Sequence, residues 1–434
     1  MKINAIVTFG LSLTAFRLFL EYCFIWIISP AFGYVGLGFE FDLVKYLQSW
    51  GFFVLLWLMV PKVFTKPSDF LLCFALVSVV LPLLSLWGLA NQPSWIVYCV
   101  LASFTLTNIT RQGRRLHLPV FKQGQTLFLW IIWGGCLLVS VWFVASGGTR
   151  YFSLSLRNVY EFRELSSEAI NGGLMTYINN MATKVLGPTL LAYGLLKKKP
   201  TIIVFGIALH VFWFGVTAHK AVLFSPILVA GIWFWGTQFR SLAFLPLGLL
   251  LIGLLTVLFQ IVTGDRFFVS LFVRRIFFVT ANNLVDYYEF FSAHPKVYWS
   301  NSSVGLGIVK NPYDQPLAMV VAQSRGFGNW VNNSYLAMGY MHAGYIGLII
   351  YSVIVGFLFR LIDSLVSRQI PDWFVLCVGI IPLRAMITSS DLFTALLTHG
   401  VIVAILIIVL FRKNEEASSY GDFGDFTTTA ISSK

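Results

Sequence analysis

The feature that most constrains this chain is a succession of apolar stretches, each close to bilayer length, separated by turn signals. A helix needs roughly 20 apolar residues to cross the hydrocarbon core. Lipid offers the backbone no hydrogen-bond partner, so such stretches must be helices or strands of a closed barrel. The strict alternation of barrel strands is absent, which leaves helices. The stretches run Leu11 to Pro30, Leu43 to Pro61, Phe70 to Ala90, Pro93 to Thr110, Thr126 to Ser146 and Gly173 to Leu196. They continue with Pro200 to Ala218, Ala221 to Phe239, Ser241 to Val262, Ser334 to Phe359, Asp372 to Ser389 and Leu392 to Phe411. The fold expected is an all-α polytopic membrane protein of about 12 transmembrane helices.

Composition agrees. Of 434 residues, 58% are hydrophobic and 11% charged, where a soluble domain carries about 25% charged residues. The five cysteines (Cys23, Cys73, Cys99, Cys136, Cys377) lie inside apolar segments without ligand-like spacing, and read as small core residues. After Met1 and Lys2 the apolar run flows into a full span, so no cleavable signal peptide is expected. P-loop, Rossmann, HExxH, CxxC and GxSxG patterns are absent.

Charge sets the expected orientation. With the N-terminus inside, the inner loops hold Lys62, Lys66, Arg111, Arg114, Arg115 and Lys122. They also hold Lys197 to Lys199, Arg240, Arg360, Arg368, Arg412 and Lys413. This is the positive-inside pattern, with both termini cytoplasmic. Residues 1–413 read as one integral membrane domain, and the acidic, Ser/Thr-rich tail 414–434 as cytoplasmic and disordered. Topology explains much of the +12 net charge, so nucleic acid is not an expected partner.

Two outer loops are long, 147–172 and 263–333, and their aromatic spacing predicts short helices against the membrane or over a cavity. Both are rich in cations: Arg150, Arg157 and Arg163 in the first, Arg266, Arg274, Arg275, Lys296, Lys310 and Arg325 in the second. Lys220 opens the eighth span, and Lys184 and Arg384 lie within spans. Such residues suit an anion at the outer surface, because Arg and Lys hold phosphate through charge-assisted hydrogen bonds. The stretch FFVSLFVRRIFFVTANNLVDYYEFFSAHP, 267–295, places Arg275, Asn282, Asp286 and Glu289 on one helical face, at offsets of 7, 4 and 3. Arg274 points elsewhere on that wheel. Arg17 and Glu21 suit a structural i, i+4 pair, and Asp265 with Arg266 another. His210 and His399, mid-span, suit interhelical bonds, whereas His294 and His342 are better placed for proton transfer.

Three stretches resemble bacterial O-antigen (oligosaccharide repeat-unit) polymerases of the Wzy type, relatives of the O-antigen ligases. They are TAHKAVLFSPIL from Thr217, RRIFFVTANNLVDYYEFFSAHPKVYWSNS from Arg274, and NNSYLAMGYMHAGYIGLI from Asn332. The layout of the whole chain resembles the same family. The resemblance implies a GT-C-like membrane glycosyltransferase of the bacterial inner membrane, with its active site facing the periplasm. It implies transfer of a growing glycan from polyprenyl pyrophosphate to a lipid-linked repeat unit. No cofactor is expected, and no metal, since the carboxylates are not clustered in a coordinating pattern. A chain-length regulator is an implied protein partner. Lys220 and Arg275, supported by Arg266, would stabilise the pyrophosphate leaving group. Relatives often carry Arg where Lys220 stands. Arg157 and Arg163 would grip the acceptor, with Arg274, Asn282, Arg325, Asn333 and Arg384 as further binding residues. Asp286, Glu289, His294 and His342 are the candidate bases. Ligases place a histidine where Asn332 and Asn333 stand, which argues against that reading. The competing expectations are a transferase using a polyprenyl-monophosphate sugar, with Glu40 and Asp42 as its paired acids, and a lipid-linked oligosaccharide flippase.

Overall fold

The computed structural model describes residues 2–156, 159–170, 172–326 and 330–412. Arg157, Lys413 and the tail 414–434 lie outside the described residues. No β-strand occurs among the described residues; the isolated bridges Glu40–Ala90 and Val63–Ser241 pin loops. The helices are α1 (Ala5–Val35), α2 (Leu43–Met59), α3 (Pro67–Leu89), α4 (Ser94–Thr110), α5 (Gly124–Ala145), α6 (Val159–Ile170) and α7 (174–196). They continue with α8 (Pro200–Thr217), α9 (Lys220–Gln238), α10 (Phe244–Thr263), α11 (Phe267–Ala293), α12 (Leu317–Ser324), α13 (Tyr335–Ser364), α14 (Asp372–Thr388) and α15 (Leu392–Phe411). Among the described residues, nine of these (α1, α3, α5, α8 to α11, α13 and α15) are long and apolar enough to cross a membrane.

Burial separates centre from rim. Helix α3 is enclosed almost throughout, while α10 turns most of its surface outward. Outward faces are apolar: Trp130, Leu137, Val141 and Val144 on α5, and Leu251, Leu254, Leu255 and Leu258 on α10. Apolar surface on this scale is not left in water by a soluble monomer. The protein is therefore membrane-embedded.

The two ends of the bundle differ chemically. One end gathers the basic loops. There Arg111 donates to Asp69 at 2.8 Å, to Ser68 at 2.7 Å and to Asn108 at 2.8 Å. Asp363 accepts from the Ser68 amide and hydroxyl, and Arg240 pairs with Asp372. This lattice ties α3, α4, α9, α13 and α14 together. Removing one member of a buried ion pair strands the other. Arg111→Ala is expected to destabilise the protein by about 3–5 kcal/mol, read as loss of the folded form in denaturant titrations in bicelles. Nearer mid-bundle, Arg17 and Glu21 form the expected pair at 2.7 Å, and Arg17 also reaches the Ser49 carbonyl at 2.9 Å.

The opposite end differs from the sequence expectation in two ways. Residues 267–293 form one 27-residue helix rather than short pieces. Phe, Val, Leu and Tyr cover most of its faces, so it buries within the bundle. Both its ends stay at this end: Phe267 and Lys220 are in contact, as are Phe268 and Phe259, and Tyr288 packs on Trp95. Secondly, 334–359 is no single span. The chain breaks at Ala343 and Gly344, where Gly344 has φ +59°. The short arm, residues 335–342, folds back along the long arm, and a Cβ on Gly339 would meet the Gly347 carbonyl oxygen at 2.5 Å. Only glycine permits that approach. Tyr335 reaches Thr107, in the last turn of α4, at 3.5 Å. The segment Asn332 to Ser334 thus descends into the bundle before the short arm climbs back.

Candidate functional site

A cavity of about 1090 Å³ opens at the end away from the basic loops. Arg163 from α6 and Arg274 and Arg275 from α11 line it, with Thr280, Asn282 and Asn283 further along α11. Tyr34 and Val35 close one side, and Trp330 to Asn332, Thr388 and Ser389 another. A second lobe of about 240 Å³ shares Tyr34, Val35 and Asn282, and adds Gln92, Asp286, Glu289 and Arg325. The two lobes of this recess adjoin across these shared residues, one lined by the Arg274–Arg275 pair and the other by Asp286, Glu289 and Arg325.

Helix α11 organises it. Asn282 donates to Asp286 at 3.3 Å, and Arg325, from the loop after α12, pairs with Asp286 at 2.9 Å and also with Glu289. Asp286 is buried, whereas Arg275 is exposed into the recess. The expected stripe of Arg275, Asn282, Asp286 and Glu289 thus lies on one wall. Arg274 departs from expectation, since it lines the recess beside Arg275. The reason is local: residues 270–278 are π-helical. A wider π turn brings successive side chains closer around the axis than the α wheel assumes, and such turns cluster at functional sites. The Arg274 side chain donates to Ser270 at 3.0 Å and stacks over Phe32 at 4.2 Å.

Asn332 and Asn333 bind the descending segment to α11. Asn283 donates to the Asn332 carbonyl and Asn333 to the Asn283 carbonyl, both at 2.9 Å. Asn332 faces the recess, while Asn333 is enclosed.

The remaining nominated residues lie elsewhere. Lys220 sits over the Phe267 ring at 5.3 Å, and Arg266 is exposed; neither lines the recess. His294 stacks on Phe290 at 4.0 Å and bonds the Phe290 carbonyl at 2.8 Å. His342 is enclosed at the hairpin tip, where its Nδ1 accepts from the Trp299 amide at 3.1 Å and its Nε2 is 3.5 Å from Asp391. Tyr351 donates to Asp391 at 2.8 Å and accepts from the Trp299 indole at 3.1 Å. Burial pushes the Asp391 carboxyl up, but His342, Tyr351 and the Phe393 amide outweigh it and hold the group below its ordinary range. Sequence reasoning missed Asp391, because its partners stand 40 and more residues away. Arg384 lies on α14 one turn before Thr388, and is taken up below. Glu40 accepts from Asn91 at 2.7 Å and Asp42 caps α2 through the Lys45 amide at 2.9 Å, so both acids are engaged in local structure. Among the described residues no cluster of three or more His, Cys, Asp or Glu side chains is arranged to hold a metal.

Compared with protein-family models, curated proteins and solved structures, the chain matches none.

Proposed function

We propose that the protein polymerises lipid-linked oligosaccharide repeat units. A growing glycan would be moved from one polyprenyl-pyrophosphate carrier to a hydroxyl of a second lipid-linked unit. The observation that carries this reading is the placing of Arg274 and Arg275 in one cavity and Asp286 and Glu289 in the adjoining one, all along one helix, within a bundle whose flanks are apolar. The positive-inside pattern supports an orientation with the basic end in the cytoplasm and the recess at the outer face.

Chemistry follows from the two lobes. The C–O bond between the anomeric carbon and the donor pyrophosphate breaks, and its electron pair leaves with the phosphate. Cations placed where that charge develops lower the barrier without reorganising. Arg274 and Arg275, which line the larger lobe, would serve in that role. The acceptor hydroxyl must lose a proton as its oxygen bonds to the anomeric carbon. Asp286 would take that proton: His294 and His342 lie off the recess, and of the two carboxylates paired with Arg325 Asp286 is the more buried. Asn282, shared by both lobes, suits a sugar hydroxyl.

A chromosomal deletion, read on a lipopolysaccharide gel, tests this. A lipid core bearing a single repeat unit, with the long ladder restored by the intact gene, is the expected result. Loss of every repeat unit would point to a ligase or a flippase.

A further inference from the structure

A second group of cations lies behind the recess. Lys184 on α7 contacts the His399 Nδ1 at 2.8 Å. Arg384 on α14 lies within electrostatic reach of both, and Arg163 and Lys184 are within reach of His219. Among the described residues, no carboxylate pairs with Lys184 or Arg384, and the Arg384 guanidinium meets no hydrogen-bond acceptor. Both side chains are half-buried inside a membrane bundle. Charge in that setting is costly and is ordinarily paired or functional.

The backbone is irregular at the same place. Lys184 sits in a π turn, residues 182–186, and α15 is broken at Gly400, where φ is +95°. A Cβ on Gly400 would meet the Met181 sulfur at 2.6 Å, so the break brings His399 against α7. Broken helices within a bundle are tolerated where they line a site. Two lining residues relate the group to the recess. Arg163 lines it, and so does Thr388, whose hydroxyl donates to the Arg384 carbonyl at 2.9 Å.

We infer that Lys184 and Arg384, with His399 as a hydrogen-bonding partner, form a second phosphate-binding subsite, separate from the Arg274–Arg275 pair. It would take a phosphate or pyrophosphate group. This extends the proposed function, because a reaction between two lipid pyrophosphates places two such groups in one protein. The anion supplies the counter-charge and the acceptors that Arg384 lacks, and an empty subsite leaves two like charges close together.

The test uses the full-length protein in nanodiscs, titrated with inorganic pyrophosphate in an Arg274→Ala, Arg275→Ala background that removes both cations of the first site. Arg384→Gln and Lys184→Met are each expected to weaken the remaining binding roughly tenfold or more. Arg384→Lys, which keeps the charge, is expected to retain most of it. Without ligand, Arg384→Gln is expected to raise the melting temperature, and pyrophosphate to raise it less than in the parent protein. Unchanged binding in the Gln and Met variants overturns the subsite. So does equal loss in the Lys and Gln variants with a lowered melting temperature, which marks a structural arginine. A short-chain polyprenyl pyrophosphate then separates the sources. Competition with inorganic pyrophosphate supports a lipid headgroup. Binding of the inorganic ion alone keeps the subsite and counts against the polymerase reading.

Discussion

Arg275→Ala is expected to reach the membrane in normal amount and to lose chain growth by roughly 10²–10³ in rate. The side chain is exposed into the recess, so its removal leaves no hole in the packed core. Its task under the proposal is to meet the additional negative charge that develops on the pyrophosphate as the glycosidic bond breaks. That is a transition-state interaction, so turnover should fall more than substrate affinity. Arg275→Lys should recover part of the activity, since an ammonium keeps the charge but not the bidentate fork. Arg274→Ala should cost less turnover and more stability, because that guanidinium also packs on Phe32. The measurement is single-turnover polymerisation with purified lipid-linked repeat units. Full-length ladders from the Arg275→Ala protein would remove the leaving-group assignment.

Asp286→Asn is the second large effect, a fall of roughly 10²–10⁴ in the rate of transfer. Asparagine keeps the shape and can still bond to Asn282 and Arg325, but cannot take a proton. Binding of the lipid-linked units should therefore change little. Glu289→Gln should act mildly, because Glu289 is partly exposed. Retained transfer by Asp286→Asn, with the protein folded, would move the base to another group. The His342–Asp391 pair would then be the next to test, through a carboxylate held ionised by its surroundings.

The acidic lobe was half legible in the sequence. Helical periodicity alone put Asn282, Asp286 and Glu289 with Arg275, because all four sit on one continuous helix. Arg325 was visible as an outer cation, but its pairing with Asp286 and Glu289 crosses 36 to 39 residues that include the end of α11, a long loop and α12. Arg274 was misplaced because a π turn changes the angular step, and no composition rule marks such a turn. The hairpin in 335–364 was hidden for a related reason. Its residues are apolar on both arms, and hydropathy carries no record of direction. The chain's break rests on Gly344 and on the close approach of Gly339 to Gly347. Lys220 was read as a site cation, and its position at the foot of α11 depends on how that helix tilts.

The short arm has a consequence for how the protein is made. Eight residues are too few to partition into lipid as an independent span, and Asn332 to Ser334 at its foot would resist entry alone. The arm is therefore expected to enter only after α4, α11 and the long arm of α13 have built a slot for it. The recess would then be completed late in assembly. A chain stalled before that point would hold its full set of crossings yet lack the wall that carries Asn332.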